Sequence, residues 1–276
     1  MLHDVLIPLR THPVPDTREA VGRLLRLAAR FATHVTLSPL DLVVPPMRPR
    51  WSSSFMGLAG AGAEIERVSR EASTAQQAFT DDAQGLKLTA RPLRASFGDP
   101  AAPVARAARY HDLTMVGFAN GDLDVQLAEA AMFGTGRPAL LVPPALVETD
   151  RPFARIAVAW DGSSAASRAL FDAMPLLAKA DDVVIITAKE DKPFDENDMA
   201  SLTEYLSCHG LQPRFATADI EVLGIGMALQ HQARAEGAGL LVMGAYGHSR
   251  MQQFILGGAT SQVLDNLQLP VLMSHS

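Results

Sequence analysis

The second half of the chain alternates short apolar runs with segments in which apolar residues recur at helical spacing. The runs at 155–160 and 183–187 have the length and β-branching of strands that are buried on both faces. The pattern continues to the end of the chain and predicts five strands separated by four helices. The other predicted elements are a helix behind the first strand, a helix near 196–208, a strand near 213–218, a helix that includes Ile225, Ala228, Leu229 and Ala233, a strand at 240–243, a helix near 258–267 and a strand at 270–273.

The first half repeats this order of elements. Apolar runs at 4–9, 112–116 and 138–142 match those at 156–160, 239–243 and 270–273, and a glycine follows the fourth strand in each half. The segment 143–152 contains prolines that cannot continue a central strand, so it reads as a linker. Strands that alternate with helices predict an α/β fold with two tandem, open, doubly wound domains of five parallel strands. We place them at 1–147 and 154–276, joined by the linker 148–153.

The residues after the fourth strand of the second half form a glycine-punctuated segment, GAYGHSRMQQFILGGAT, at 244–260. Glycines at Gly244, Gly247 and Gly257 allow positive φ and a close approach to a ligand. The free N–H groups at the start of the following helix face the same point and favour an anion. The sequence therefore predicts a phosphate site at this loop.

The two halves differ where that site would lie. The first half is shorter between its fourth and fifth strands, its glycines are out of register, and Arg10 stands where the second half has Asp161. We infer that the first half kept the fold and lost the phosphate site. Its excess residues fall mainly in the Pro-, Ser- and Gly-rich segment 44–62, a predicted loop that either covers a site or partner with Trp51, Phe55 and Met56 or packs on its own domain.

Gly244, Gly247 and Gly257 are separated by two and nine residues, and this spacing resembles the nucleotide-binding motif of the universal stress proteins. Members of that family carry Ser or Thr at the next position, where this chain has Gly258, and an Asp after the first strand, as at Asp161. The whole chain is similar to a tandem universal stress protein with two UspA-type domains. The resemblance implies adenine nucleotide alpha hydrolase-like domains that pack as a pseudo-dimer.

The resemblance also implies that ATP or AMP, with Mg or Mn on its phosphates, lies across the carboxyl ends of the strands, as in other open α/β sheets. Gly247 and Gly257 would donate N–H groups to phosphate; the alternative is that they only shape a turn and a helix start. Asp161 would lie near the base or ribose, or would cap the next helix with Ser163 and Ser164. Ala188 would make a backbone contact to the base.

Four further residues of the segment are candidates for the phosphates. Gly258 would open the helix, and its missing hydroxyl removes a donor worth about 0.5–1.5 kcal/mol, which weakens affinity about tenfold. Thr260 would replace that hydroxyl or cap the helix. His248 and Arg250 would face the phosphates or remain exposed without a ligand.

Composition excludes several classes of protein. A formal net charge of -6 over 276 residues, with no basic tract, argues against nucleic acid and anionic membranes. No apolar segment reaches the roughly 18 residues of a membrane span. The single cysteine, Cys208, cannot form an internal disulfide, which fits a reducing cytoplasm, and we expect its thiol to be packed.

Catalytic motifs are missing from the sequence. There is no Gly-x-Ser-x-Gly, no Gly-x4-Gly-Lys-Ser/Thr, no lysine in the glycine segment and no metal-ligand spacing. We therefore expect a cytoplasmic nucleotide-binding regulatory or stress-response protein with one site in the second domain, and not an enzyme. The alternatives are a slow ATP hydrolase and, motivated by Gly258 and the apolar 51–58 segment, a non-nucleotide module that binds an unknown protein partner. The pseudo-dimer either stands alone or forms a homodimer.

Overall fold

The computed structural model describes residues 2–11, 15–43, 86–96, 99–146, 149–188, 196–220, 223–245 and 258–275. Strands and helices alternate through both halves. The N-terminal half contains β1 (Asp4–Leu9), α1 (Arg18–Ala28), β2 (His34–Val43), β3 (Lys87–Ala90), β4 (Leu93–Ser96), α2 (Ala102–Ala108), β5 (Leu113–Gly117), α3 (Asp122–Phe133) and β6 (Ala139–Val142). The C-terminal half contains β7 (Arg155–Ala159), α4 (Ser164–Leu177), β8 (Asp182–Ala188), α5 (Glu196–Cys208), β9 (Arg214–Ala218), α6 (Ile225–Ala235), β10 (Leu240–Gly244), α7 (Ala259–Asp265) and β11 (Val271–Ser274).

All of these strands belong to one continuous sheet. Its order is β3-β2-β1-β5-β6-β11-β10-β7-β8-β9, with β4 also paired to β2. Strands within each half are parallel, whereas β6 and β11 pair antiparallel, with Leu140 opposite Leu272. Each half thus has the doubly wound order of an open α/β sheet, and the two halves join edge to edge. The predicted fold class is confirmed.

The third strand of the N-terminal half differs from the prediction of five unbroken strands. It is divided into β3 and β4, which keep the same register against β2: Leu37 lies opposite Ala90, and Leu40 lies opposite Leu93. The break contains Pro92, which has no N–H to donate to the ladder. The interruption therefore removes hydrogen bonds without shifting the side chains to the other face.

Two apolar layers cover the sheet. Leu25 of α1, Leu170 of α4 and Leu206 of α5 pack with one face, and helices α2, α3, α6 and α7 pack with the other. Strand residues alternate between these layers, so Val5 faces the first layer and Leu6 the second. Both faces are apolar because parallel strands are covered by helices on both sides.

Three remaining predictions have different outcomes. The prediction of a packed thiol is wrong, because Cys208 ends α5 and is exposed. The segment 44–62 lies outside the described residues. The domain limits stay a prediction, although the linker 148–153 does fall between β6 and β7.

The linker packs against the start of β10, and this contact generates a stability prediction. A Cβ at Gly239 would lie 1.8 Å from the carbonyl oxygen of Pro152. We expect Gly239→Ala to lower the free energy of unfolding by about 1–3 kcal/mol, because the backbone must move to admit the methyl group. Urea denaturation measures the change.

Gly22→Ala is the matched control. Gly22 lies inside α1, where a Cβ would meet only the end of the flexible Arg26 side chain at 3.2 Å. Alanine is favoured in a helix interior, so this variant should be neutral or more stable by up to about 1 kcal/mol. Equal midpoints for the two variants would contradict the proposed contact.

Candidate functional site

The loop after β7 places Asp161 at the carboxyl edge of the sheet. Gly162 takes a φ of 72°, and an Oδ1 atom of Asp161 accepts a hydrogen bond from the Ser163 N–H at 3.0 Å. Ser163 is the N-cap of α4, since its Oγ accepts from the Ala166 N–H at 3.1 Å. The capping role considered for Asp161 therefore belongs to Ser163. Asp161 is exposed and keeps acceptor capacity for a ligand.

A cavity of about 730 Å³ opens beside this loop, between α4 and α5. Its walls include Trp160, Gly162 and Ser164 at the end of β7, and Phe171 and Tyr205 farther along the helices. The volume lies within the range of small-molecule sites. The Nε1 atom of Trp160 is buried, and no hydrogen-bond partner for it lies in the described parts of the chain.

Ala188 and Gly244 end the two strands that flank β7. Ala188 is the last residue of β8, and Gly244 is the last residue of β10. Because all three strands are parallel, Asp161, Ala188 and Gly244 lie at the same edge of the sheet. The structure therefore brings these three predicted residues together.

The role predicted for Gly244 is wrong in part. Its φ is not positive, and its close approach is to α4: a Cβ would lie 2.6 Å from the carbonyl carbon of Ala165. Gly244 is required by helix packing, and its predicted contact to a ligand stays a prediction.

Gly258 and Thr260 lie at the start of α7. Gly258 is the N-cap, with φ −61° and ψ 143°, and no atom of the described residues lies within 4 Å of a Cβ placed there. Thr260 is 4% exposed and stands inside the helix, so its predicted role as a cap is wrong. The site thus has room at Gly258 for the hydroxyl that the resemblance leads one to expect.

The other candidates, Gly247, His248, Arg250 and Gly257, lie outside the described residues, and their phosphate contacts stay predictions. In the parts of the chain that are described, no cluster of three or more His, Cys, Asp or Glu side chains could hold a metal ion. Across the same ranges, no helix is long and apolar enough to span a membrane.

The equivalent edge in the N-terminal half is filled by an ion-pair network. The Nη1 atom of Arg10 lies 2.7 Å from Oδ1 of Asp124, and its Nε donates to Asp16 at 2.9 Å. The other oxygen of Asp124 accepts from the backbone N–H groups of Ala119 and Gly121 at 2.8 and 3.1 Å. Asp124 is fully buried. The Asp124 carboxylate thus bonds to the N–H groups and to the Arg10 guanidinium group, which would otherwise attract a phosphate.

The guanidinium group of Arg10 stays charged in this network. Burial lowers the pKa of Arg10, but its hydrogen bonds and its attraction to Asp16 and Asp124 outweigh burial and raise that pKa above its ordinary value. Burial raises the pKa of Asp16, and the bonds from Arg10 oppose this rise. Arg10 therefore holds the two carboxylates together.

Sequence reasoning identified Arg10 as a departure and missed its partner, as it missed Trp160. Asp124 stands three residues after Gly121 at the start of a helix, a position where an acidic side chain often bonds to backbone N–H groups. Trp160 directly precedes Asp161. Neither signal shows which distant groups the side chain contacts.

Removal of Asp124 tests whether its carboxylate stands in for a phosphate. We expect Asp124→Ala to lower the free energy of unfolding by about 1–3 kcal/mol, because Arg10 and two N–H groups lose an acceptor. Added inorganic phosphate should restore stability in this variant more than in the wild type, compared with chloride at equal ionic strength. Urea denaturation in the two salts measures both effects.

Asp150→Ala is the control, since Asp150 pairs with Arg30 on the surface and is 97% exposed. Its removal should leave the denaturation midpoint unchanged within error. If phosphate stabilises the Asp124 variant no more than the wild type, the carboxylate does not mark an anion site.

Comparisons with known proteins agree with this geometry. Residues 152–275 match the family model of the universal stress protein family. A universal stress protein from Archaeoglobus fulgidus DSM 4304 is similar in structure, with a TM-score of 0.72 and 18% identity over 98% of each chain. A candidate universal stress protein from Pseudomonas aeruginosa UCBPP-PA14 has a TM-score of 0.57 and 16% identity, over 99% of this chain and 93% of that one. No curated protein matches the chain. The C-terminal half, at residues 152–275, is therefore a domain of the universal stress protein family, and the N-terminal half carries the same fold.

Proposed function

We propose that this chain binds an adenine nucleotide, ATP or AMP, at one site in its C-terminal domain, and that it acts as a regulatory or stress-response protein in the cytoplasm. The observation that carries the proposal is the position of the cavity between α4 and α5. It opens beside Asp161 at the carboxyl edge of the sheet, where ligands of open α/β sheets bind.

The chemistry of the wall suits a nucleoside. The carboxylate of Asp161 can accept hydrogen bonds from ribose hydroxyls. Trp160 lies in the cavity wall beside it. Phe171 and Tyr205 add aromatic surface. Phosphates would then extend toward Gly258 and the N-terminal end of α7, where the helix dipole favours negative charge.

In this proposal the bound nucleotide acts as a regulatory signal and is not hydrolysed quickly. The glycine segment has no lysine to neutralise a transferring phosphoryl group. A protein partner would respond to the bound state, and Mg or Mn would accompany the phosphates of ATP. The competing function is a protein-interaction module that binds no nucleotide.

The first experiment identifies the occupant. The freshly purified chain is denatured, the released small molecules are identified by mass spectrometry, and equilibrium dialysis measures ATP and AMP binding. We expect an adenine nucleotide in the released fraction or saturable binding at up to millimolar concentration. No release and no binding would overturn the proposal and favour the interaction module.

The second prediction separates binding from helix capping. Asp161→Ala should weaken nucleotide affinity about tenfold or more, because a charged acceptor is lost. Ser163→Ala should keep that affinity and lower the free energy of unfolding by about 1 kcal/mol, because the N-cap of α4 is lost. Calorimetric titration and urea denaturation of both variants measure the two effects. Equal affinities for Asp161→Ala and the wild type would remove Asp161 from the site.

The third prediction concerns the position at which this chain departs from the family motif. Gly258→Ser should raise nucleotide affinity about tenfold, since the new hydroxyl can donate to a phosphate and the space around the Cβ is open. Gly258→Ala adds the same Cβ without the hydroxyl and is the matched control. If serine and alanine change the affinity for ATP equally, no phosphate lies at Gly258.

A further inference from the structure

A second cavity, of about 430 Å³, lies in the N-terminal half and shares no lining residue with the cavity beside Asp161. It opens between α2 and the face of the sheet, over the middle of β2. Thr36 and Ser38 lie at its base, and Arg91, Arg94, Arg106 and His111 lie around them.

The C-terminal half shows what the fold itself requires at the base of this cavity. Leu6, the third residue of β1, lies beside Thr36, and Ala157, the third residue of β7, lies beside Val184. The same register places Ser38 where the C-terminal half has Ile186. Val184 and Ile186 are fully buried in an apolar layer. Apolar side chains at both positions are therefore compatible with the fold.

The walls of the cavity carry basic side chains. His111 stands two residues before β5, where Ala238 precedes β10 and is 8% exposed. Arg106 lies on the exposed side of α2, whose buried alanine is Ala108. A basic side chain thus stands at His111 where the C-terminal half has an alanine.

Arg91 completes the set. It follows Ala90, which pairs with Leu37, and the equivalent position in the other half is Ala216, which pairs with Ile186. Alanine at that place packs in the apolar layer. A guanidinium there leaves a space above the sheet unfilled by hydrocarbon.

Ser38, at the base of the cavity, has a buried hydroxyl. Ser38 is 1% exposed, and no hydrogen-bond partner for this hydroxyl lies in the described parts of the chain. A buried hydroxyl without a partner destabilises the folded state, and Ile186 fits the equivalent place in the other half. The fold therefore does not require a hydroxyl at this position.

The charge around the cavity identifies the class of occupant. Arg91, Arg94 and Arg106 form no ion pair in the ranges that the structure describes, whereas other arginines, such as Arg10 and Arg214, are paired with carboxylates. The chain as a whole carries a net charge of -6, so three arginines that line one cavity without an ion pair in the described ranges are not a consequence of composition. Guanidinium groups bind phosphate oxygens through two parallel hydrogen bonds.

We propose that this cavity is a second ligand site, which binds a small phosphorylated molecule. Arg91, Arg94 and Arg106 hold its phosphate, and the hydroxyl groups of Thr36 and Ser38 bond to its polar body. The ring of Tyr110, 84% exposed at the rim, offers a surface on which a planar group can stack.

Calorimetric titration of the full chain with inorganic pyrophosphate tests the proposal. Arg106→Ala and Arg91→Ala each remove a guanidinium group from the cavity and should each weaken binding about tenfold or more. Arg18→Ala, an exposed arginine of α1 outside the cavity, is the control and should leave the affinity unchanged. Binding by the wild type should weaken as salt is added, because the contacts are ionic.

The double variant Thr36→Val with Ser38→Val tests the cavity against a general attraction to surface arginines. It keeps all three guanidinium groups and replaces the polar base by the side-chain type found in the other half. Its affinity for pyrophosphate should fall about tenfold, since two hydroxyl partners are lost. Thermal unfolding of each variant confirms that the chain remains folded.

The proposal is overturned by any of three results. The wild type binds no pyrophosphate at millimolar concentration, the Arg91 and Arg106 variants bind it as the wild type does, or the double variant keeps the full affinity. The last two results would place binding elsewhere or on exposed arginines in general.

Discussion

The antiparallel pairing of β6 with β11 sets the architecture of the whole molecule. An open sheet ends in strands whose N–H and C=O groups have no partner, and each half would expose such an edge alone. Pairing the two edges satisfies both and buries all four residues of each strand. Because the strands run in opposite directions, the carboxyl ends of the two halves point to opposite edges of the combined sheet. A site in one half therefore cannot share residues with its counterpart in the other.

This separation explains how the halves could diverge without loss of the common fold. At the carboxyl edge, the C-terminal half leaves Asp161 exposed beside an open cavity, whereas the N-terminal half places Arg10 between two carboxylates. Asp124 then bonds to backbone N–H groups at the start of α3. The Asp124 carboxylate is part of the protein and is always present at this place. A free phosphate would therefore have to displace this buried carboxylate and expose it.

The sequence predicted the strands well because each is a short apolar run between polar segments. The run at 183–187 became β8, Asp182–Ala188, and the predicted helix near 196–208 has the bounds of α5. It did not predict the division between β3 and β4, since a proline on an edge strand is tolerated and leaves the period unchanged.

The site was predicted less completely, because its features depend on contacts between distant residues. Arg10 and Asp124 are 114 positions apart, so neither identifies the other in the sequence. A glycine in the sequence indicates that another group approaches the backbone closely, but it does not identify that group. At Gly244 the group is helix α4. Thr36 and Ser38 resemble ordinary polar positions of a strand until the register places them against Val184 and Ile186.

Comparison of the halves also separates the residues that the fold needs from those that it merely accepts. Trp160 follows β7, and its donor has no partner in the part of the chain that is described; Leu9, fully buried, fills the equivalent place at the end of β1. Ser38 has an unpartnered hydroxyl, and Ile186 fills the equivalent place. In each pair one half demonstrates that an apolar residue packs there, so the polar atom in the other half is not required for packing. A buried group without a partner costs about 1–3 kcal/mol, a large share of the 5–15 kcal/mol by which domains are stable. Such a cost is offset when a ligand supplies the missing partner, and Trp160 and Ser38 line the two cavities, one on each face of the sheet.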